Sequence, residues 1–420
     1  MQFCKTPIVL ALFFVVIFIA GCGSTSNVAK PSMYNPTDNH HYKWTVLLYM
    51  DGKNNLAPEA IKNLNDLESA GSTNDVAIVA EVGHKSGYTG DTATWDELRR
   101  YFVMKDNNYN SINSLLVGTL PNQTDMASQQ TLSDFIQWGV SRYPADHYAL
   151  VLWDHGGGWY TNIRAMSAPK VMKSIFVDDT SGNEMSLGQL SSALNPYAKK
   201  FDLIVFDACL MGMIEVATSV KNSGSYMVAS EDDVPGDGMP YAKVMSSLVA
   251  NPGITADALG KGFVDEYYNA YGTSFDGGIT LSLINLNTIS QLESATNGLA
   301  SAVNGHLSDI KTTVVGYVQS SQTFDSTDRS YTQYRDLYDF ASGLSSTSYA
   351  DIGSASENLK QAFQSTVIYE RHNTSVPNAH GLSIYLPDPS FGSFSTWYSQ
   401  YKRLQFSSDA PAWPYMISKY

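Results

Sequence analysis

Cysteine is scarce in this chain of 420 residues, which contains three. Cys4 and Cys22 lie in or directly after an apolar N-terminal segment, so Cys209 stands alone in the remainder. A disulfide framework is therefore excluded, and roughly 380 residues must rely on a hydrophobic core, as one large domain or two. A lone thiol in an oxidising compartment is a liability. It is kept either as a small buried hydrophobe or for the chemistry of its thiolate.

Blocks of positive charge and two common hydrolase motifs are also missing. The chain has 26 Lys and Arg against 40 Asp and Glu, a net charge of −14. An acidic chain without a basic stretch is a poor nucleic-acid binder, so we expect no nucleic-acid partner. The absence of Gly-x-Ser-x-Gly argues against a serine esterase, although a His-Gly-Gly-Gly sequence is present. The absence of His-Glu-x-x-His argues against a zinc metalloprotease.

The N-terminus has the features of an export signal. An apolar run of thirteen residues, Ile8 to Ala20, is too short to span a bilayer as a helix and has the length of a signal-peptide core. The small residues before Cys22 resemble a bacterial lipoprotein processing site, which implies removal of residues 1–21 and lipidation of Cys22. Residues 22–41 are polar and predict a flexible tether. We expect a lipid-anchored protein of the bacterial cell envelope, at the outer membrane or cell surface; a retained anchor segment is the alternative.

Apolar runs and helical patterns alternate after the tether. The predicted strands are Thr45–Met50, Val76–Ala80, Tyr148–Trp153, Leu203–Phe206, Met227–Ala229, Ile279–Ile284 and Leu382–Leu386. Most of these runs lack strict alternation, as expected for strands covered on both faces. The pattern predicts an α/β fold, with a mainly parallel sheet, helices on both faces and a helical C-terminal part. In such a sheet the loops at the carboxyl ends of the strands form the binding crevice.

Two of these strands end in residues that carry chemistry. His155 follows one strand and precedes three glycines, whereas Cys209 follows another and opens a predicted helix, Met211–Val220. The positive end of that helix should lower the pKa of the thiol. A thiolate beside an imidazole is the minimal nucleophile and acid–base pair for acyl transfer. We expect the backbone N–H groups of Gly156 and Cys209 to form the oxyanion hole.

Each residue alone has a simpler interpretation. A histidine at a strand end is commonly a hydrogen-bonded structural residue, and a lone cysteine in an apolar setting is commonly inert packing. Together, after adjacent strands and about fifty residues apart, they are far more specific. That spacing is similar to the separation of the catalytic histidine and cysteine in caspases.

The motifs resemble those of the clostripain family of cysteine peptidases, which shares a caspase-like fold with caspases, gingipains and legumain. The matching segments are Trp44–Gly52 with Asn54-Asn55-Leu56, Trp153–Trp159, Phe206–Gly212, Tyr334–Leu337 and Gly381–Leu386. The match is colinear over roughly residues 42–390. The resemblance therefore implies a peptidase domain over residues 42–390, and we expect residues 391–420 to be a C-terminal extension packed on it.

The resemblance also implies a peptidase that cleaves after Arg or Lys. The connection between residues 156 and 185 contains Arg164, Lys170 and Lys173. In this family such a connection is often cut by the enzyme itself, which leaves two chains that stay together. An ordinary solvated loop is the alternative.

Selectivity for a basic side chain requires a carboxylate at the base of a pocket. Asp207 lies two residues before Cys209, so the period-two geometry of a strand points both side chains to one face. The resemblance places a pocket-lining loop at Ser230–Gly238, where Asp237 between two glycines is the second candidate. A solvated acidic turn is the alternative interpretation of that loop.

No cofactor is required by this chemistry, and no metal site is expected. Asp178, Asp179 and the acidic loop nevertheless leave a calcium ion open as an alternative. We expect a monomer that acts on protein or peptide substrates. A catalytically silent, surface-binding lipoprotein of the same fold is the alternative from another class. Reaction of Cys209 with iodoacetamide at neutral pH would distinguish the two.

Overall fold

The computed structural model describes residues 40–159, 175–324, 333–391 and 394–420. These residues belong to one compact unit, Pro36–Tyr420. The strands of the described residues are β1 (Tyr42–Gly52), β2 (Val76–His84), β3 (Leu98–Phe102), β4 (Leu115–Leu120), β5 (Ala145–Trp153), β6 (Val177–Asp178), β7 (Asn183–Glu184), β8 (Phe201–Asp207), β9 (Gly224–Ala229), β10 (Thr280–Asn285), β11 (Tyr334–Asp336), β12 (Val367–His372) and β13 (Ser383–Tyr385). The helices are α1 (Ala57–Ala70), α2 (Gln129–Arg142), α3 (Leu187–Leu194), α4 (Ile214–Val220), α5 (Tyr241–Ala250), α6 (Ala256–Tyr271), α7 (Ile289–Ser320), α8 (Leu337–Leu344), α9 (Ala350–Thr366), α10 (Phe394–Tyr401), α11 (Gln405–Asp409) and α12 (Ala412–Ile417).

A nine-stranded sheet forms the centre of the fold, in the order β12-β10-β9-β8-β5-β1-β2-β3-β4. The five middle strands, β9, β8, β5, β1 and β2, are mutually parallel. Their apolar runs are buried almost throughout, because helices cover both faces. The predicted mainly parallel α/β sheet is therefore confirmed.

The outer strands of this sheet are antiparallel. β3 and β4 extend one edge, and β10 and β12 extend the other. Neither β3 nor β4 was among the strands predicted from the sequence. Two arginines interrupt the short apolar pattern of β3. The apolar run Leu382–Leu386 contains β13, but this short strand pairs with β11 in a separate two-stranded sheet.

Helices pack on both sides of the middle strands. On one face, α1, α5 and α6 cover a core that includes Trp44, Met50, Trp153 and Val205. On the opposite face α2 packs against β1, where Gly139 allows close approach to Leu47. The chain after β10 is mostly helical and contains the long helix α7, which packs against α9 and α12. This agrees with the predicted helical C-terminal part.

The last helices contact the rest of the fold through buried polar groups. Tyr401 donates a hydrogen bond from its hydroxyl to Glu215 Oε1 at 2.7 Å, and Trp413 donates from Nε1 to the carbonyl of Tyr385 at 3.1 Å. These bonds join α10 and α12 to α4 and β13.

Within the described ranges, no helix combines the length and apolar character needed to cross a membrane. The predicted signal peptide (residues 1–21), Cys22 and nearly all of the predicted tether lie outside the described residues.

Candidate active site

The sheet brings His155 and Cys209 to the same edge. Strands β5 and β8 are parallel neighbours, and Trp153 pairs with Asp207 in their register. Asp154 continues the pairing by donating its N–H to the carbonyl of Asp207 at 3.2 Å. His155 lies two residues after Trp153, and Cys209 lies two residues after Asp207. Both therefore follow the ends of adjacent strands at the same position along the sheet.

The glycines after His155 allow the two loops to touch. A Cβ on Gly156 would lie 2.2 Å from the carbonyl oxygen of Cys209 and 2.8 Å from its nitrogen. Only glycine permits this backbone contact. The next peptide is held by Tyr334, whose hydroxyl donates to the carbonyl of Gly157 at 2.7 Å. The backbone around the predicted oxyanion hole is thus closely packed and tied to β11.

Asn55 orients the imidazole of His155. Its Oδ1 atom lies 3.1 Å from His155 Nε2. An amide oxygen accepts hydrogen bonds and cannot donate, so Nε2 carries the proton and Nδ1 carries the lone pair. Burial lowers the pKa of His155 to about 4, and the negative charge of Asp179 opposes this shift. The neutral imidazole is the stable form in this environment, and it is able to accept a proton.

Buried polar contacts hold the loop that carries Asn55. Asn54 donates from Nδ2 to Asp154 Oδ1 at 2.7 Å, and the N–H of Val177 donates to Asp154 Oδ2 at 2.6 Å. The buried Lys53 forms an ion pair with the buried Asp178, at 3.2 Å between Nζ and Oδ2. A buried charge without its partner is costly, so these contacts fix the end of β1 against the end of β5 and against β6.

The Cys209 thiol faces the loop that follows β9. The N–H of Val234 donates to Sγ at 3.3 Å. Neighbouring backbone hydrogen bonds join the two loops, from Leu210 N to Asp232 O at 3.1 Å and from Gly212 N to Ser230 O at 2.6 Å. Burial raises the pKa of the Cys209 thiol, and the negative charge of Asp233 raises it further.

The prediction that a helix N-terminus lowers the thiol pKa was wrong for this conformation. The helix α4 begins at Ile214, and Cys209 lies in the preceding loop rather than in its first turn. The macrodipole acts mainly within the first turn of a helix, so the thiol is beyond its strongest influence. Desolvation and the nearby carboxylate of Asp233 dominate instead.

The side chains of His155 and Cys209, both among the described residues, do not contact each other by a hydrogen bond but have other partners in this conformation. His155 Nε2 binds Asn55, and Cys209 Sγ binds the backbone of Val234. No direct hydrogen bond joins His155 to Cys209 among the residues that the structure describes. The pKa shifts favour a neutral thiol and a neutral imidazole over a preformed ion pair.

Asp207 lies buried on the α1 face of the sheet. Its Oδ2 atom accepts hydrogen bonds from the N–H of Met239 at 3.0 Å and from the hydroxyl of Tyr241 at 2.6 Å. Burial raises the pKa of Asp207 to about 6, although both hydrogen bonds act in the opposite direction.

The turn that contains Asp237 packs directly on Asp207. A Cβ on Gly238, whose φ is +72°, would lie 2.9 Å from Asp207 Oδ2. The Asp237 side chain itself is 63% exposed and forms an ion pair with Lys62 of α1. Asn63 bridges this turn to β5, because its Nδ2 donates to Asp237 O at 2.9 Å and its Oδ1 accepts from Trp153 Nε1 at 2.8 Å.

The residues named for calcium have protein partners. Asp178 Oδ1 accepts from the N–H groups of Thr180 and Ser181, whereas Oδ2 accepts from Lys53 and the N–H of Met126. Asp179 accepts a hydrogen bond from the hydroxyl of Tyr88 at 3.0 Å. In the described parts of the chain, no group of three or more His, Cys, Asp and Glu side chains is arranged to hold a metal.

Three contributors to the site were not predicted as functional residues. Asn55, Lys62 and Tyr241 are brought in by α1, its preceding loop and α5. Of these three, only Asn55 could have been recognised from the sequence, because it follows a strand that ends at the same edge of the sheet. Arg164, Lys170 and Lys173 lie outside the described residues.

Comparison with known proteins identifies the family. The model of the clostripain family matches residues 48–420. Clostripain from Hathewaya histolytica is 24% identical over 422 aligned positions, which cover 87% of this chain and 78% of the relative.

Two solved structures share the fold. An inactive zymogen C11 protease from Parabacteroides distasonis has a TM-score of 0.66 at 23% identity, covering 90% of this chain and 99% of that one. A secreted C11 cysteine protease from Bacteroides thetaiotaomicron, in complex with an irreversible peptide inhibitor, has a TM-score of 0.65 at 23% identity. The match covers 88% of this chain and 98% of that one. The caspase-like fold and the family predicted from the sequence are both confirmed. The chain belongs to the clostripain family and is a cysteine endopeptidase that acts on protein or peptide substrates.

Proposed function

We propose that His155 and Cys209 are the catalytic dyad of a lipid-anchored endopeptidase that cleaves after Arg or Lys. The observation that supports this most is the position of both residues on adjacent parallel strand ends. The contact of Gly156 with the Cys209 backbone also supports it, because it sets the two loops side by side.

Acyl transfer in this site begins with proton transfer from Cys209 Sγ to His155 Nδ1. The sulfur then attacks the carbonyl carbon of the scissile bond, and the N–H groups of Gly156 and Cys209 stabilise the oxyanion. The imidazolium gives its proton to the leaving amine as the C–N bond breaks. Water, deprotonated by the same imidazole, hydrolyses the thioester and regenerates the thiol. The Asn55 carbonyl stabilises the imidazolium by accepting from Nε2–H.

The conformation described above is a resting one in this proposal. The thiol is turned to Val234, and Asp233 disfavours its ionised form. Binding of a substrate shifts this loop and turns Sγ towards His155. The transferred proton then stays within the pair, which titrates as one coupled system.

Asp207 and Asp237 form the binding site for the basic side chain before the scissile bond. Asp207 lies two residues before Cys209, and the turn that carries Asp237 packs on Asp207. A guanidinium or ammonium group then has a buried and an exposed carboxylate as partners.

The same preference leads to processing of the chain at Arg164, Lys170 or Lys173. These basic residues lie between the end of β5 and the start of β6, in the connection between the two catalytic motifs. Cys22 carries the lipid that holds the protein in the bacterial envelope, and the molecule acts as a monomer. No cofactor is required, so chelation of calcium leaves the rate unchanged.

The test is a library of peptide amides that differ at the residue before the scissile bond. Wild type should cleave those with Arg or Lys. Cys209→Ala and His155→Ala should each lose at least ~1000-fold in rate, by comparison with other nucleophile knockouts. Thermal unfolding should show that both variants keep the fold. Substantial hydrolysis by Cys209→Ala would end the dyad proposal.

A further inference from the structure

The acidic site at Asp237 already holds a cation that belongs to the protein. Lys62 lies on the exposed side of α1, and its Nζ atom forms an ion pair with Asp237 Oδ1. Its neighbour Asn63 binds the carbonyl of Asp237, so two successive residues of α1 hold the same turn. The position of Lys62 is therefore set by a second, uncharged contact between helix and turn.

A third carboxylate lies on the same helix face. Asp66 follows Lys62 by four residues and so lies one turn further along α1. Burial raises the pKa of this half-buried carboxyl; Lys62 opposes the shift and Asp237 adds to it. Asp66 is therefore close enough to Asp237 for the two carboxylates to repel each other, and Lys62 offsets that repulsion.

The exposed ion pair of Lys62 with Asp237 adjoins the buried carboxylate of Asp207. Gly238, next to Asp237, contacts Asp207, and the carbonyl of Gly238 accepts a hydrogen bond from the hydroxyl of Tyr271 at 2.8 Å. The side chains of Lys62 and Asp237 are 52% and 63% exposed. An ion pair so open to water is weak and exchanges its partner readily.

We propose that Lys62 is a specificity-determining residue, which occupies Asp237 at rest and is displaced by the basic side chain of the substrate. This inference rests on the proposed function, in which Asp207 and Asp237 bind that side chain. A neutral side chain forms no ion pair with Asp237, so its binding does not displace Lys62. Lys62 therefore weakens binding of basic substrates and leaves binding of neutral ones unchanged.

The experiment measures kcat and KM for matched peptide amides with Arg or with a neutral residue before the scissile bond. Lys62→Gln should lower KM for the Arg peptide about two- to fivefold, as expected for loss of an exposed ion pair, and leave kcat unchanged. Lys62→Arg keeps the cation and should behave as wild type. The gain of Lys62→Gln should shrink between about 0.05 and 0.5 M salt, because exposed charges are screened.

Lys261→Gln is the matched control. Lys261 forms a similar exposed pair with Asp257 on α6 at 3.5 Å, ten residues before Tyr271 and so about 15 Å away along the helix. Lys261→Gln should leave KM unchanged for both the Arg peptide and the neutral peptide. If wild type prefers Arg and Lys62→Gln leaves its KM unchanged, the inference about Lys62 fails and the proposed specificity stands. If wild type shows no preference for a basic residue, the proposed specificity fails and the inference fails with it.

Discussion

Asn55 Oδ1 accepts a hydrogen bond from His155 Nε2 at 3.1 Å, across 100 residues of sequence. Asn55 is exposed at the end of β1, whereas His155 follows the neighbouring strand β5. In the proposed dyad, this bond leaves Nδ1 as the atom that accepts the thiol proton. Asn55 is then a positioning residue, which acts through the orientation and tautomer of the imidazole.

Replacement of Asn55 tests this role. Asn55→Ala should lower kcat roughly three- to tenfold, since one net hydrogen bond to the imidazolium is lost, with little change in KM. Asn55→Asp should restore part of the rate and move the acid limb of the kcat/KM profile to higher pH, because a carboxylate stabilises the imidazolium. Equal pH profiles for wild type and both variants would contradict the role, and thermal unfolding serves as the control for a structural effect.

The reactivity of Cys209 should depend on Asp233. Removing that charge in Asp233→Asn should lower the pKa of the thiol, because Asp233 raises it in the wild type. Alkylation by iodoacetamide should then be faster at neutral pH, and its rate profile should move to lower pH. Asp257→Asn, which removes an exposed charge on α6, should leave the profile in place. A profile that is the same for Asp233→Asn and wild type would show that Asp233 does not control the pKa of the thiol.

Asp207 should govern selectivity more strongly than Asp237. Loss of a buried charged partner typically costs ~2–5 kcal/mol, so Asp207→Asn should lower kcat/KM for Arg and Lys substrates by more than tenfold. A neutral substrate should be affected far less. Asp237→Asn should behave alike but more mildly, because its side chain is exposed. Equal losses on basic and neutral substrates would instead assign Asp207 to support of the strand end.

The same Asp207→Asn variant should be stabilised relative to wild type at neutral pH. Burial raises the pKa of Asp207 from 3.8 to about 6, so the folded state favours the protonated acid. Wild type therefore loses stability as the pH rises between about 4 and 6, by up to ~3 kcal/mol for a shift of about two units. Asparagine has no such titration. Urea unfolding of both proteins should show a difference in the free energy of unfolding that grows over that pH interval and is constant above it.

Cys22→Ser should release the protein from membranes in soluble form, because serine cannot carry the thioether-linked lipid. Cys4→Ser, which changes a cysteine before the proposed cleavage site, should leave the protein in the membrane fraction. Fractionation after a high-salt wash measures the difference. A Cys22→Ser protein that remains with the membranes would indicate that residues 8–20 are a retained anchor.

Much of the architecture and the central pair of the site could be predicted from the chain alone. The apolar runs of β1, β2, β5, β8 and β9 indicated buried parallel strands, and chain order alone placed His155 and Cys209 after two of them. The glycines after His155 indicated close backbone approach, and Gly156 does contact Cys209. These inferences succeed because strand burial and glycine conformation are local properties of the sequence.

Other features depend on groups that are far apart in the chain and meet only in the folded protein. The pKa of the Cys209 thiol is raised by burial and by the charge of Asp233. The sequence had indicated a lower pKa, from the N-terminus of a helix that begins only at Ile214. The hydrogen bond from His155 to Asn55 and the ion pair of Lys62 with Asp237 are likewise set by how α1 and its preceding loop pack beside β5 and the turn after β9. Electrostatic environment depends on distance and desolvation in three dimensions, and neither is encoded in the spacing of residues along the chain.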